Sequence, residues 1–501
     1  MPILPPTPTS ESTPPPAPQP QPIPSSPITN NPSSGFQPLN NNKETPPAFI
    51  PPSGSSLPIK TPTTGMPKIL RIIIIVAVLL GLVIGAISIA KLLGGKKNGG
   101  GGKTITLNYW GLWEPENVMQ GIISDYESSH PGVKVSYQRQ SQKDYRDRLQ
   151  NALSSDKGPD IFRFHNTWTP MFKNYLSALP QNIMDNSTFE KTFYPVTTTD
   201  LKLNGKYIGF PLGIDTLLLY YNEDLLRAAG KTPPETWDEL LKTAQDLTVR
   251  NGDKIETAGV ALGNSTNIDH WPDILTLLML QNGTDMKNPG STIGSDGKNL
   301  GADALTFYTL FYKTYKLWDE TFPNSTQAFA SGKLALYFGP SWEAFEFAKN
   351  SNLHFATVAT PKLADVETYY ATYWADGVSE KSTHQKEAWD FLKFLTQKDN
   401  MQKLYEAQGK TRLFGEPPPR IDMADQFGAT PIVSTVLKSA NKATSWYMSS
   451  ATWDGDSGLN SRLIKYFADA VTAVNKNTKA EEALKTVDQG VAQLYQQYGI
   501  K

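Results

Sequence analysis

Twenty-one of the chain's 39 prolines lie within its first 67 residues, so the 501-residue sequence cannot be one uniform fold. Each proline removes a backbone donor and fixes φ, and at this density neither a helix nor a sheet ladder propagates. The remainder of that stretch is Ser, Thr, Asn and Gln with four charged residues, too little apolar surface to offset chain entropy. Residues 1–67 are therefore expected to be a disordered Pro-rich tail. A run such as Pro14-Pro15-Pro16-Ala17-Pro18 reads as a spacer with polyproline bias, or else as a docking strip for a partner that binds such helices.

Lys68 and Arg71 then introduce Ile72 to Ala90, nineteen residues without a charge. As a helix rising about 1.5 Å per residue this run covers about 28 Å, close to the bilayer hydrocarbon core. Residues 68–93 are expected to be a transmembrane helix, and the glycine- and lysine-rich 94–103 a flexible linker. Ser88-Ile89-Ala90 has the small-x-small form a signal peptidase cuts, but the region before it is far longer than a usual leader, which favours a retained anchor. Lys60, Lys68 and Arg71 before the span nearly balance Lys91, Lys96, Lys97 and Lys103 after it, so charge does not set orientation.

The 398 residues from Thr104 onward exceed the size at which a single core usually stops growing, about 250 residues, which argues for two lobes. The absence of cysteine excludes disulfides, thiolate metal sites, thiol nucleophiles and a lipidated cysteine anchor. Five scattered histidines show no H-E-x-x-H spacing. Residues 1–103 hold eight Lys/Arg and two Asp/Glu, leaving 39 basic and 46 acidic residues beyond them, a net of −7. Such a mildly acidic region lacks the basic footprint of nucleic-acid binding. No cofactor is expected.

From Thr104 the pattern alternates between strand and helix periods, which indicates an α/β fold. Ile105, Leu107 and Tyr109 alternate as a strand, Val118 to Tyr126 as a helix and Val133 to Tyr137 as a strand; an amphipathic stretch then runs through Tyr145, Leu149 and Leu153. Gly158-Pro159-Asp160 breaks that helix and feeds the apolar Ile161-Phe162. Asn204-Gly205-Lys206 is expected as a hairpin turn between Leu201–Leu203 and Tyr207–Phe210. Pro233-Pro234 ahead of Trp237-Asp238-Glu239-Leu240 marks a helix start, and further helices are expected over Ala302–Tyr315, Lys386–Thr396 and Leu459–Val474.

Seven fragments occur in a telling order: Thr104 to Trp110, Gly158-Pro-Asp-Ile161, Leu203-Asn-Gly-Lys-Tyr-Ile-Gly-Phe-Pro211, Leu219-Tyr-Tyr-Asn-Glu-Asp-Leu-Leu226, Pro234-Glu-Thr-Trp-Asp-Glu-Leu240, Phe329-Ala-Ser-Gly-Lys-Leu-Ala-Leu336 and Gly339-Pro-Ser-Trp342. Together they resemble the extracellular solute-binding proteins of ABC importers, in particular the carbohydrate-binding, maltose-binding-protein-like branch. The resemblance implies a two-lobed periplasmic-binding-protein-like fold with hinge crossovers, ligand held in the cleft, and no catalysis. It places lobe 1 at about 104–213 with part of 360–428, and lobe 2 at about 215–358 with 430–501.

All eleven tryptophans follow Thr104, most of them beside turn or break signals. Sugars present flat C–H faces ringed by hydroxyls, so aromatic platforms beside carboxylates and amides suit them. By resemblance, Trp113 and Glu114 after the first strand reach the ligand, although a surface loop would read the same. Asn166 and Trp168 follow the strand at Ile161, where the maltose-type pattern has a charged pair that this chain lacks. Asp215 matches an acidic hinge position that binds sugar hydroxyls, with a hinge-stabilising salt bridge as the other reading. Trp271 before Pro272 is either a platform or a core tryptophan opening a helix. Trp342 matches the second-lobe stacking residue, unless the Gly339-Pro340 bend only ends a strand. Trp374 and Trp453 are further candidate platforms. Asp454-Gly455-Asp456-Ser457-Gly458 hints at a calcium loop, but Lys465 stands where the bidentate Glu would be.

The implied function is the membrane-tethered substrate-binding component of an importer, with a small-molecule carbohydrate and ABC permease subunits as partners. The C-terminal domain would then be extracellular or periplasmic and the tail cytoplasmic. A membrane-anchored sensor of the same fold, signalling through a separate partner, is the alternative. A two-carboxylate glycosidase finds no motif that pairs its acids.

Overall fold

Strand β1 (Ile105–Gly111) pairs in parallel with β2 (Val133–Arg139), Ile105 facing Val133, and with β3 (Ile161–His165), Tyr109 facing Ile161. The computed structural model describes residues 104–500. The expected tail (1–67), transmembrane helix (68–93) and linker (94–103) lie outside the described residues. Among the described residues no helix is long and apolar enough to cross a membrane.

All five residues of β3 are buried, as expected for a central strand covered on both faces. Helix Glu116–Ser129 links β1 to β2, and helix Tyr145–Ser154 links β2 to β3, its Tyr145, Leu149 and Leu153 turned inward at helical spacing. The first sheet is completed from distant sequence. Its order is β2-β1-β3-β12-β4, where β4 is Phe210–Pro211 and β12 is Trp374–Val378. β12 runs antiparallel to β3 and sets Trp374 opposite His165.

Three short strands bridge to the second sheet. Strand β5 (Asp215–Thr216) lies antiparallel to β11 (Tyr369–Thr372), with Asp215 facing Thr372, and β11 lies parallel to β13 (Ala443–Thr444). The second sheet contains β6 (Leu218–Asn222), β7 (Val249–Asn251), β8 (Lys254–Val260), β9 (Leu334–Gly339) and β10 (Phe355–Ala359), in the order β10-β6-β9-β8-β7. The chain thus leaves the first sheet at Pro211, enters the second at Leu218, and returns between Ala359 and Trp374. This is a two-lobed α/β fold with hinge crossovers.

Local signals place several boundaries. Thr236 caps helix Trp237–Leu247, its hydroxyl accepting from Glu239 N at 3.2 Å while the Glu239 carboxylate accepts from Thr236 N at 3.3 Å, a reciprocal cap. The expected hairpin forms around Asn204 and Gly205, both at positive φ, the geometry a two-residue turn demands. Its paired arms are only Lys202–Leu203 and Lys206–Tyr207, because Phe210–Pro211 crosses to pair with β12. The later helices span Leu300–Lys313, Gln385–Leu395 and Leu459–Asn475.

Candidate functional site

The loops at the open ends of β1, β3 and β12 converge on one cavity of about 170 Å³. Leu112 and Trp113 come from the loop after β1, Gln142 from the loop after β2, Tyr145 from the first residue of the second helix, Trp168 from the turn after β3, and Trp374 from the first residue of β12. Ala451, Thr452 and Trp453 close it from the segment entering helix Leu459–Asn475, which packs on helix Leu300–Lys313 of the other lobe. No lining side chain carries a charge.

The rings meet edge to face. Trp374 stands 5.7 Å from Trp113 and 5.3 Å from Trp168, at interplanar angles of 73° and 76°. Trp168 stacks on Phe172 at 5.6 Å, which leaves it 1% exposed and fixes its plane. In two of the lining residues, Trp168 and Thr452, the indole N–H and the hydroxyl are buried without a hydrogen-bond partner.

Trp453, 49% exposed, forms the mouth. Its segment is held firmly. Ser449 Oγ and Ser450 N donate to Asp273 at 3.1 and 3.0 Å, and Asn460 Nδ2 donates to Ser449 O and Thr452 O, both at 2.9 Å. Asp454 accepts from Asn460 N, Ser461 N and Ser461 Oγ at 2.7 to 3.0 Å. Its carboxylate is therefore spent on the N-terminus of the following helix, which accounts for the acidic, glycine-rich sequence there.

Glu114 requires a correction. Expected at the ligand, it is 5% exposed and faces the lobe core, where Arg163 Nη1 reaches its Oε2 at 2.5 Å and Gln408 Nε2 its Oε1 at 3.1 Å. The same guanidinium donates to both oxygens of Asp376 at 3.0 Å, and the Tyr109 hydroxyl adds a bond of 2.7 Å. Burial alone would raise the Glu114 carboxyl, but Arg163, a backbone hydrogen bond and the charge of Arg412 together hold the group below the ordinary carboxylate range. Glu114 fixes the loop from beneath while its neighbour Trp113 faces the cavity.

Asp215 is also turned from the expected role. It is 1% exposed and accepts from Ser341 N at 3.0 Å, Ser341 Oγ at 2.6 Å and Thr216 N at 2.7 Å. No cation pairs with it among the described residues, so hydrogen bonds, and not a salt bridge, stabilise the hinge there. Burial pushes its carboxyl up to about 8. Trp271 is a buried tryptophan opening helix Trp271–Gln281 and does not line the cavity. Trp342 is half-buried in the turn Ser341–Glu343, likewise outside the cavity lining.

Asn166 belongs elsewhere. Its amide donates to Asp200 at 3.0 Å, and it lines a second, larger interlobe cavity of about 560 Å³ with Asp200, Ser445 and Tyr447. Burial raises the Asp200 carboxyl to about 6. Size favours this second space, but the smaller cavity concentrates the aromatic rings and the neutral wall, and it is the candidate site. Ala451 also borders a separate narrow recess lined by His270, Pro340 and Ser450. There His270 bonds Ser450 Oγ at 2.7 Å and Glu343 at 3.1 Å; burial lowers its basicity, and Glu343 with Asp273 and Asp269 raises it above the ordinary value. Gln142, Thr452, His270 and Glu343 escaped sequence reasoning, although three of them sit directly beside a tryptophan already singled out.

Comparisons with known proteins agree with this architecture. The chain is 26% identical over 331 residues to the multiple sugar-binding protein of Streptococcus mutans, covering 61% of this chain and 74% of that one. It is 24% identical over 319 residues to the diacetylchitobiose binding protein DasA of Streptomyces coelicolor, covering 60% and 71%. Among solved structures, the sugar-binding protein MalE of Xanthomonas citri superposes with a TM-score of 0.64 at 19% identity, over 78% of this chain and 98% of that one. A cyclo/maltodextrin-binding protein complexed with maltotetraose gives 0.62 at 19% identity, over 79% and 99%. Residues 121–429 match the family model described as bacterial extracellular solute-binding protein. The chain belongs to the bacterial extracellular solute-binding protein family, a family of binding proteins and not of enzymes.

Proposed function

We propose that the domain from residue 104 onward captures an uncharged carbohydrate in the tryptophan cavity and delivers it to an ABC permease. Trp113, Trp168, Trp374 and Trp453, drawn from four separate segments around one cavity without a charged lining side chain, carry this reading. A wall without a cationic side chain gives the carboxylate of an amino acid or the phosphate of a glycerol phosphate nothing to pair with, whereas pyranose C–H faces pack on rings. The sugar-binding names of the relatives support the same ligand class.

In this reading residues 68–93 anchor the chain, 94–103 tether it, the domain lies outside the cytoplasm and the tail inside. The lobes divide at about 104–213 with part of 360–428, and 215–358 with 430–501. Ligand that bridges the lobes shifts them towards the closed state, and no cofactor takes part. Thermal-shift titration of the full chain against mono- and oligosaccharides, with amino acids, peptides and glycerol phosphates as controls, tests the binding claim. Saturable stabilisation by a sugar is expected. Stabilisation only by the charged controls overturns the ligand class.

A further inference from the structure

We infer, resting on the carbohydrate reading above, that Asp200 is a positioning residue: it does not line the tryptophan cavity, yet it holds Trp168 and Trp374 in place relative to each other and to the hinge. Asp200 ends helix Pro195–Asp200 of the first lobe, and its carboxylate gathers donors from three other segments. Asn166 Nδ2 and the Tyr373 hydroxyl both reach Oδ2 at 3.0 Å, and Ser445 Oγ reaches Oδ1 at 2.7 Å. The Thr169 hydroxyl adds a bond of 3.2 Å to the Asp200 main-chain oxygen.

Each of the three donors directly follows a strand. Asn166 follows β3 and opens the turn Asn166–Trp168, Tyr373 separates β11 from β12 one residue before Trp374, and Ser445 follows β13. Asn166 N donates to Tyr373 O at 3.1 Å, and Asn166 Oδ1 accepts from Tyr373 N at 3.4 Å. The Asn166 amide thus faces two ways, its nitrogen to Asp200 and its oxygen to Tyr373. Beside this joint, Trp168 meets Trp374 edge to face at 5.3 Å. The Ser445 bond reaches the end of β13, which pairs with β11, so the same carboxylate ties the tryptophan pair to the bridging sheet and not to the first lobe alone.

Three donors on one residue call for an acceptor at each oxygen, which a carboxylate supplies. Burial and the Asp200 charge hold the Tyr373 phenol well above its ordinary range, so it remains a donor. Asparagine in this place keeps the pattern: its oxygen accepts from Asn166 and Tyr373, and its amide donates to Ser445 Oγ, whose hydroxyl turns away. Alanine removes all three bonds. Asp200, Asn166 and Ser445 also line the 560 Å³ cavity, so water from that side can meet the freed donors and the fold survives the loss.

The test compares the unmodified full chain with Asp200→Ala, Asp200→Asn and Tyr373→Phe, the last deleting one donor should Asp200→Ala not fold. Asn222→Ala, which removes the cap of helix Glu223–Ala228 in the second lobe, controls for lost stability alone. Isothermal titration with neutral hexose mono- to tetrasaccharides reads affinity, and near-ultraviolet circular dichroism reads tryptophan packing without ligand. Asp200→Ala is expected to weaken binding about tenfold and to change the spectrum, and Tyr373→Phe to do both to a smaller degree. Asp200→Asn and Asn222→Ala are expected to keep affinity within about twofold and to keep the spectrum. An unchanged affinity and spectrum in both Asp200→Ala and Tyr373→Phe overturns the inference. An equal loss in Asp200→Asn assigns the effect to charge and overturns positioning by hydrogen bonds, and an equal loss in Asn222→Ala reduces it to stability. If no sugar binds the folded, unmodified protein, the carbohydrate reading falls, while the spectra still decide whether Asp200 sets the tryptophans.

Discussion

Asp215 and Ser341 are joined through both carboxylate oxygens, the serine N–H reaching Oδ2 at 3.0 Å and Oδ1 at 3.2 Å and its hydroxyl reaching Oδ2 at 2.6 Å. The first residue of a hinge strand is thereby tied to the turn that carries Trp342, so the geometry between the bridging sheet and the second lobe depends on one buried acid.

That acid gives the stability a pH dependence. Burial raises the Asp215 carboxyl to about 8 from an unfolded value near 4, so the folded state holds the proton more tightly. The ionised form costs stability above about pH 8, the cost fades as pH falls, and it is absent below about 4. The melting temperature should therefore fall between pH 5 and pH 8, and Asp215→Asn should flatten that slope. Scanning calorimetry of both proteins decides, and an equal slope in the variant removes Asp215 as the source.

Trp168→Phe keeps a ring against Phe172 and Trp374 while deleting the unpaired indole N–H. Loss of one hydrogen bond to ligand, about 1 kcal/mol, should weaken sugar binding severalfold. The melting temperature should also fall modestly, because the smaller ring leaves a void in a buried position, so affinity is compared at a temperature where both proteins are folded. Unaltered affinity would mean that the N–H does not meet the ligand.

Arg163→Met leaves Glu114 and Asp376 buried together without their cation, a defect of about 3–5 kcal/mol. Glu114→Gln should cost less, because Arg163 keeps its two bonds to Asp376. Denaturant unfolding of the two variants should rank them in that order. The reverse ranking would show that Glu114, not Arg163, organises the cluster.

Asp454→Ala removes three bonds at the start of helix Leu459–Asn475 and should destabilise the protein by about 1–2 kcal/mol, the usual range for a lost cap. It should also loosen Trp453 and weaken binding. Calcium should leave the melting temperature of the unmodified protein unchanged; a calcium-dependent rise would return this loop to the metal reading.

The elements of the fold were legible because their signals are local. Asn204-Gly205 demands positive φ at both positions, Thr236 and Glu239 cap each other three residues apart, and Leu149 and Leu153 fall on one helical face. The family resemblance rested on fragments of the same local kind. Trp113, Trp168, Trp374 and Trp453 could be named as candidates from their place at turns, but so could Trp271 and Trp342, which the fold places outside the cavity.

The sequence alone determined the alternation of strand and helix, the turn positions and which side chains had chemistry to offer. Only tertiary structure decided which of them meet. Trp113 and Trp453 are 340 positions apart and line one cavity, whereas the adjacent Trp113 and Glu114 point to different environments. The reason is physical: a carboxylate turns inward only where distant residues offset its desolvation, and Arg163 on β3 and Gln408 do this for Glu114. No pattern local to residue 114 contains that information.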